Sequence, residues 1–471
     1  MQKILLLIAS LFYFNFILAE NEIKSWQGIH ETPLSCLEQQ FAEPPVEFAN
    51  HVIWGWEGKM DKKTICNDLD SIKKKGFRAV IFEAGYKLPF KYLSEEWFKA
   101  IRTGVLEAKK RGMKVWIIDE GKYPSGFAGG KFSQERPDLR MQALVIGDTI
   151  QIKRGEVMTN HKIAPEIISA VAVSTSGAPN RTVAINNGEI SFNAGLDDWK
   201  ILLVKSDFRT AVTRAVNNPN GGKDATNSLC DYLNPIAVQQ FIDWTHEQYK
   251  KYLGKELGTT VLGFRGDEPD YAHLPWTPSI VQTFKETKGY DPTPYLASFF
   301  TASPTIQEQR VKADYWDVWS SLFATHFFKL QADWCAANGV AHITHLNKEH
   351  EMPACVKAEG DYFRNLSKVQ IPGVDAIWNQ IWPGTLNDFP KLASSVAHVY
   401  GKPRAFSESF AAYHISPTIP QAKFVVDHQI ARGINFFEFM FWPAGSKHRN
   451  WMSDPGMKGL NEYTNRTTYL M

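Results

Sequence analysis

The sequence is short of cysteine, of any surplus of one charge, and of long apolar runs, and each shortage removes a class of protein. Five cysteines in 471 residues, Cys36, Cys66, Cys230, Cys335 and Cys355, are odd in number and widely spaced. They match neither a disulfide scaffold nor a zinc-binding spacing, and leave room for one or two bridges at most. Lys and Arg total 52 against 50 Asp and Glu, a net +2, so there is no electrostatic footprint for nucleic acid. Beyond the N-terminus no stretch approaches the ~18 apolar residues of a membrane span. No Gly-x-Ser-x-Gly elbow is present, which leaves serine-hydrolase chemistry without its nucleophile. The glycines between Gly126 and Gly130 lack the Lys-Ser/Thr or Rossmann context of a phosphate cradle. Low-complexity segments and short-period repeats are absent as well.

What is there begins with a leader. Lys3, the apolar run Ile4 to Leu18 and small residues at Ala9 and Ala19 have the layout of a secretory signal peptide with cleavage near Ala19. The expected product is a secreted or periplasmic protein. After a loose segment with Pro44 and Pro45, apolar strands alternate with helices at amphipathic spacing. His51 to Trp56 reads as a strand and Met60 to Lys75 as a helix closed by Gly76. Arg78 to Ala84 is the next strand, and Ser94 caps a helix through Lys110. Lys114 to Glu120 is a third strand.

From about Met141 to Ala215 the pattern changes to short alternating runs separated by Asn-Gly and Ser-Gly turns, which predicts antiparallel β structure. The βα pattern resumes with a helix from Asn234 to about Leu253 and a fourth strand, Val261 to Phe264. A proline-rich loop and a helix from about Gln307 to Asn338 follow. Ala341 to Leu346, Val374 to Asn379, Pro403 to Phe410 and Ile434 to Met440 make strands five to eight. Eight strands of one kind predict an α/β fold, a (β/α)8 TIM barrel with a small antiparallel β module inserted after the third strand. The expected divisions are a leader at 1–19, an N-terminal segment at 20–45, barrel strands one to three at 46–140, the module at 141–220 and strands four to eight at 221–471.

Active sites in this fold gather at the C-terminal ends of the strands. Those ends carry Trp54, Trp56, Glu83, Asp119, Glu120, Asp267, Glu268, His345, Asn347, Trp378, Asn379, Glu408 and Trp442. Carboxylates ringed by indoles suit sugars: aromatic faces stack on sugar rings, and paired acids break glycosidic bonds. Glu268 on strand four and Glu408 on strand seven lie across the barrel axis and are the expected catalytic pair. The partner is then an oligosaccharide or polysaccharide, with the other strand-end residues as its contacts.

The run Val115-Trp-Ile-Ile-Asp-Glu-Gly-Lys-Tyr-Pro-Ser-Gly to Gly130, the stretches Asp231-Tyr-Leu-Asn-Pro, Trp244-Thr-His-Glu and Gly266-Asp-Glu-Pro, and Ser407-Glu-Ser-Phe with Gly433-Ile-Asn resemble barrel glycosidases. The resemblance is to glycoside hydrolase family 106, the α-L-rhamnosidases, and covers about Val46 to Trp442. It implies Glu268 as general acid and Glu408 as its partner carboxylate; the residues themselves require no cofactor, and calcium enters only through the resemblance. Family 106 enzymes invert, whereas members of the larger barrel clan with glutamates on strands four and seven usually retain, so both outcomes stay open.

Each residue also has a structural reading. Glu268 and Glu408 could be rim carboxylates in salt bridges, Asp267 a turn cap or an orienter of Glu268, and Asp119, Glu120 and Glu83 loop anchors rather than contacts to sugar or calcium. Trp54, Trp56, Trp378 and Trp442 could stack on sugar or pack in the core. His342, His345 and His350 suggest a metal, but residues three apart on a strand face opposite sides, so no metal ligand set is expected from them. Two other functions fit the same barrel: a non-catalytic carbohydrate-binding protein, or a metal-dependent hydrolase such as a deacetylase.

Overall fold

A computed structural model of the chain describes residues 27–28, 33–209, 213–214, 223–224, 228–269, 271, 274–385, 387–445 and 451–471. The expected leader lies outside them. Eight parallel strands close into a barrel: His51–Trp56, Ala79–Ala84, Lys114–Ile118, Val261–Gly266, Ala341–Thr344, Ile371–Ala376, Phe406–Ser409 and Phe436–Pro443, with the first paired to both the second and the eighth. Alternation along each strand divides the side chains. Ile53, Ile81, Trp116, Ile118, Ile343, Ile371, Phe406 and Phe436 fill the interior. Val52, Trp54, Trp56, Phe82, Val115 and Phe264 face outward into the layer beneath the helices.

The helices start and stop where their sequences dictate. Glu95–Lys110 opens on Ser94, whose hydroxyl accepts from Trp97 N, with acids in its first turn and lysines in its last, complementing the helix dipole. The helix expected over 307–338 is two α-helical stretches, Ile306–Leu322 and Lys329–Ala337, joined by a π-helical turn, Phe323–Phe328. The helix expected over 234–253 breaks at Thr245, whose φ of −114° and ψ of −84° are not helical. The proline-rich loop holds more structure than expected, with a short strand Pro275–Trp276, a helix Ile280–Lys288 and a 3-10 segment Thr293–Phe300. The C-terminal helix is Met457–Tyr469. Among the described residues no helix is long and apolar enough to cross a membrane.

The antiparallel module is there. Gln142–Ile152, Trp199–Phe208, Ile167–Ser174 and Arg181–Thr182 form one sheet, whose free edge is taken by Pro275–Trp276 from beyond the fourth barrel strand. Met141 N donates to Leu229 O, so the chain leaves and re-enters the barrel at one place. No disulfide joins any of the five cysteines.

One strand boundary differs from expectation with consequences for the site. The sixth strand runs Ile371–Ala376, three residues earlier than the sequence pattern suggests. Pro372 and Gly373 look like turn residues, but Gly373 is there for space: a Cβ on it would meet the Phe406 ring at 2.1 Å. Trp378 and Asn379 therefore lie in the loop beyond, both with left-handed backbone, φ 51° and 57°.

Candidate active site

Three adjacent strands place inward-facing acids side by side. Asp375 on the sixth strand pairs in register with Glu408 on the seventh, and Glu408 with Glu438 on the eighth. Opposite them the fourth strand sends in Arg265, whose guanidinium is fully buried. Arg265 and Asp267 are two apart and share a face, and Arg265 Nη1 lies 2.7 Å from Asp267 Oδ1. Its Nε donates to Glu438 at 3.1 Å, and Nη2 bonds both Glu408 and His345 Nε2, the latter at 3.0 Å. One cation thus holds three carboxylates in place, and charge-assisted bonds of this kind are what make a buried charge tolerable.

His345 is the second hub. Its Nε2 stands 3.3 Å from Asp267 and 3.5 Å from Glu408, while Nδ1 lies 2.7 Å from its neighbour's carbonyl at Leu346 and 3.3 Å from Glu349. Glu268 follows Asp267 with φ of 40°. That left-handed turn aims its side chain away from Arg265 and toward Asn347, whose amide donates to Glu268 Oε2 at 3.5 Å.

The acids divide by environment. Burial, then the charge on Asp267, raises Glu268 to about 8. Burial followed by Glu408 raises Asp375 well above the carboxylate range. Burial raises Glu438 to about 7 against the pull of Arg265. Asp267 goes the other way: burial works against its charge, but Arg265 and His345 outweigh it and hold its carboxyl below the usual range. The site therefore contains both acids that keep a proton at neutral pH and acids that give it up, the division that acid–base chemistry needs.

The other expected residues are distributed unevenly around this centre. Glu83 is buried and pairs with Lys122 at 2.7 Å; burial still raises its pKa. Asp119 accepts from Ser125 Oγ at 2.7 Å, and burial pushes its carboxyl well up. Glu120 accepts the N–H groups of Gly121, Ala128 and Gly129, so it ties the glycine loop together, and burial raises it to about 7. Trp378 is half-exposed beyond the sixth strand. Asn379, part-exposed in the same loop, donates to Ile415 O and accepts from His414 N.

Three indoles are corrected. Trp54, Trp56 and Trp442 are 0%, 0% and 2% exposed. Trp54 and Trp56 sit on the outward-facing positions of the first strand, packed against Phe82 and Trp97, and Trp442 lies in the same outer core. Stacking on a sugar is closed to all three.

Arg265, Asp375 and Glu438 are the residues that sequence reasoning passed over. For Arg265 a signal existed: a cation in an otherwise apolar strand, two residues before an acid, belongs on the acid's face of the sheet. Glu438 had a related one, a charge between Phe437 and Phe439 in an apolar strand. Asp375 was hidden by the strand boundary.

Comparison with known proteins agrees with this geometry. The sequence profile of glycoside hydrolase family 106, described as alpha-L-rhamnosidase, matches residues 158–466. The chain belongs to this family. A protein of Formosa agariphila provisionally named a beta-glucuronidase is 24% identical to the family 106 chain, across 89% of it and 39% of the relative. The solved rhamnosidase from Novosphingobium sp. PP1Y shares its fold with TM-score 0.68 at 15% identity, over 93% of this chain and 60% of that one. The chain thus spans less than two thirds of either relative.

The family's calcium can be tested against the residues present. Asp267, His345 and Glu408 do not suit a cation, because Arg265 already stands among them. In the neighbouring group of Glu268, His345 and Asp375, Glu268 is kept for the proton it carries and Asp375 suits the cation better. Asp375 Oδ1 is buried without a hydrogen-bond partner, and carboxylate and amide oxygens are what calcium takes.

Proposed function

We propose that this chain is the catalytic barrel of an exported glycoside hydrolase that removes an α-L-rhamnosyl or related terminal sugar from a glycan. Glu268 acts as general acid and Glu408 as base or nucleophile. The observation that carries the reading is the contrast between the two: Glu268, raised to about 8, keeps its proton at neutral pH, while Glu408 has an oxygen engaged by the buried Arg265 guanidinium. A protonated and an ion-paired carboxyl at the mouth of one barrel are the two tools of glycoside cleavage. Half-exposed Trp378 offers a ring face to the sugar. Export is supported by Lys3 and the apolar run ending near Ala19. Asp375 would hold a calcium, which when bound would supply a hard Lewis acid for sugar hydroxyls.

The test is a panel of aryl glycosides that includes α-L-rhamnoside and β-D-glucuronide, followed by two variants on whichever is cleaved. Glu268→Gln and Glu408→Gln should each lower turnover about 10²- to 10⁴-fold. Glu268→Gln should leave the melting temperature close to wild type, whereas Glu408→Gln strips a buried guanidinium of a partner and lowers it. Undiminished turnover in Glu268→Gln would remove it as the general acid, and no cleavage of any glycoside by the wild type would leave a sugar-binding barrel or another hydrolytic chemistry in its place.

A further inference from the structure

Away from the barrel mouth, three buried side chains converge from three different elements. His342 lies on the fifth strand and faces outward, between the inward Ala341 and Ile343. His246 opens the helix His246–Leu253, and Cys335 belongs to the helix Lys329–Ala337. One ligand atom from each lies within 4.8 Å of the other two. The cluster is sealed, at 0% exposure for His246 and Cys335 and 1% for His342. Its walls are apolar: the His246 ring is 4.3 Å from that of Phe264 and 5.2 Å from that of Trp334.

Hydrogen bonding fixes how His246 presents itself. The Thr245 hydroxyl donates to Phe241 O at 2.7 Å, so at 2.9 Å from His246 Nδ1 it accepts the ring N–H. The tautomer is then set, and Nε2 carries a bare lone pair. That Nε2 has no hydrogen-bond partner, and neither ring nitrogen of His342 has one. Burial holds both imidazoles neutral, His342 falling to about 3. Each unsatisfied buried polar atom is unfavourable, so a ligand that engages them has a driving force built into the fold. An acceptor behind the other ring nitrogen, here the Thr245 hydroxyl, orients an imidazole as outer-shell acceptors orient metal-bound histidines.

We propose that His246, Cys335 and His342 form a structural site for copper(I). Sulfur and imidazole nitrogen exclude the hard, oxygen-seeking cations. Charge then selects among soft ones. Binding displaces the Cys335 thiol proton to solvent, and a thiolate with two neutral imidazoles around a monovalent ion sums to zero. A divalent zinc ion in the same ligands would leave an uncompensated charge in an apolar pocket, which burial disfavours. The site would pin the fifth strand, which leads into His345, to the two helices behind it. It differs from the histidine set suggested by sequence spacing, because the partners of His342 come from Thr245-His246 and from Cys335 rather than from its own strand.

The full-length protein, unfolded with a chelator and refolded without oxygen, would be titrated with copper(I) held by a chromophoric competitor, and with zinc(II) in parallel. The expected result is one equivalent of copper with an ultraviolet thiolate-to-copper band, a higher melting temperature than the metal-free form, and weaker zinc binding. Cys335→Ala should weaken copper about 100-fold or more and abolish the band; His342→Phe should do the same, and Cys355→Ala should bind as wild type. Should His342→Phe fail to fold, Cys335→Ala decides, since it removes only one sulfur. Absence of copper in the wild type, equal copper in Cys335→Ala, or a preference for zinc would overturn the proposal.

Discussion

Arg265 organises the chemistry of the mouth through its fork of donors. Its three nitrogens reach Asp267, Glu408 and Glu438, leaving Glu268, the residue after Asp267, off the fork. The same fourth strand therefore supplies an acid kept ionised and an acid kept protonated. The pH dependence follows. Above a pH of about 8 Glu268 loses its proton, so kcat/KM should fall along a basic limb near that value, and Glu268→Gln should abolish the limb together with most of the rate. The stability sign is also set. A carboxyl whose pKa is higher folded than unfolded favours the fold while it is protonated, fully so below its unfolded value near 4.5, and that contribution fades as pH rises toward about 8. Chemical denaturation across this range should show wild type losing stability with rising pH more steeply than Glu268→Gln. A matching slope in the variant would remove the raised pKa from the account. At this scale the sequence was legible where polar residues end strands, as at Glu268 and Glu408. It was less so where a charge sits inside a strand, because Arg265 and Glu438 are partners 173 positions apart.

Among the elements, the sixth strand shows how a local signal can mislead. Isoleucine, proline and glycine at 371–373 look like a chain reversal, and only the neighbouring strand explains them. Thr344 pairs with Pro372 and Gly373 with Phe406. The missing side chain at 373 is the space that the Phe406 ring occupies. Gly373→Ala should thus cost about 1–3 kcal/mol through overpacking, measured by denaturant titration. It should also lower turnover, because Asp375 and Glu408 are the next inward pair along those strands. A stable, fully active alanine variant would show that the strand has room to shift. By contrast, Glu95–Lys110 was readable to its first residue, since its cap, dipole charges and apolar stripe all lie within its own sequence.

For the whole molecule the question is whether the antiparallel module is a separate body. Its sequence pattern, with its own turns and its own alternation, suggests a domain inserted into the barrel. The packing is more divided. One face of the sheet encloses a private core of Ile152, Ala172, Trp199, Ile201 and Leu203. The other face, through Leu144, Val171, Leu202 and Val204, belongs to the same apolar cluster as the barrel's outer layer. Two barrel segments complete the join: Pro275–Trp276 adds a strand to the module, and Ala297 N donates to Ser169 Oγ at 3.0 Å. Unfolding the module alone would expose that shared face and strip Pro275–Trp276 of its partner. The barrel and module should therefore melt together, in one calorimetric transition whose calorimetric and van't Hoff enthalpies agree. Excision of 142–228 should lower the melting temperature of what remains rather than release an intact barrel. Two resolved transitions in the intact chain would mean that the shared face contributes little, and that the insertion is a domain in energy as well as in sequence.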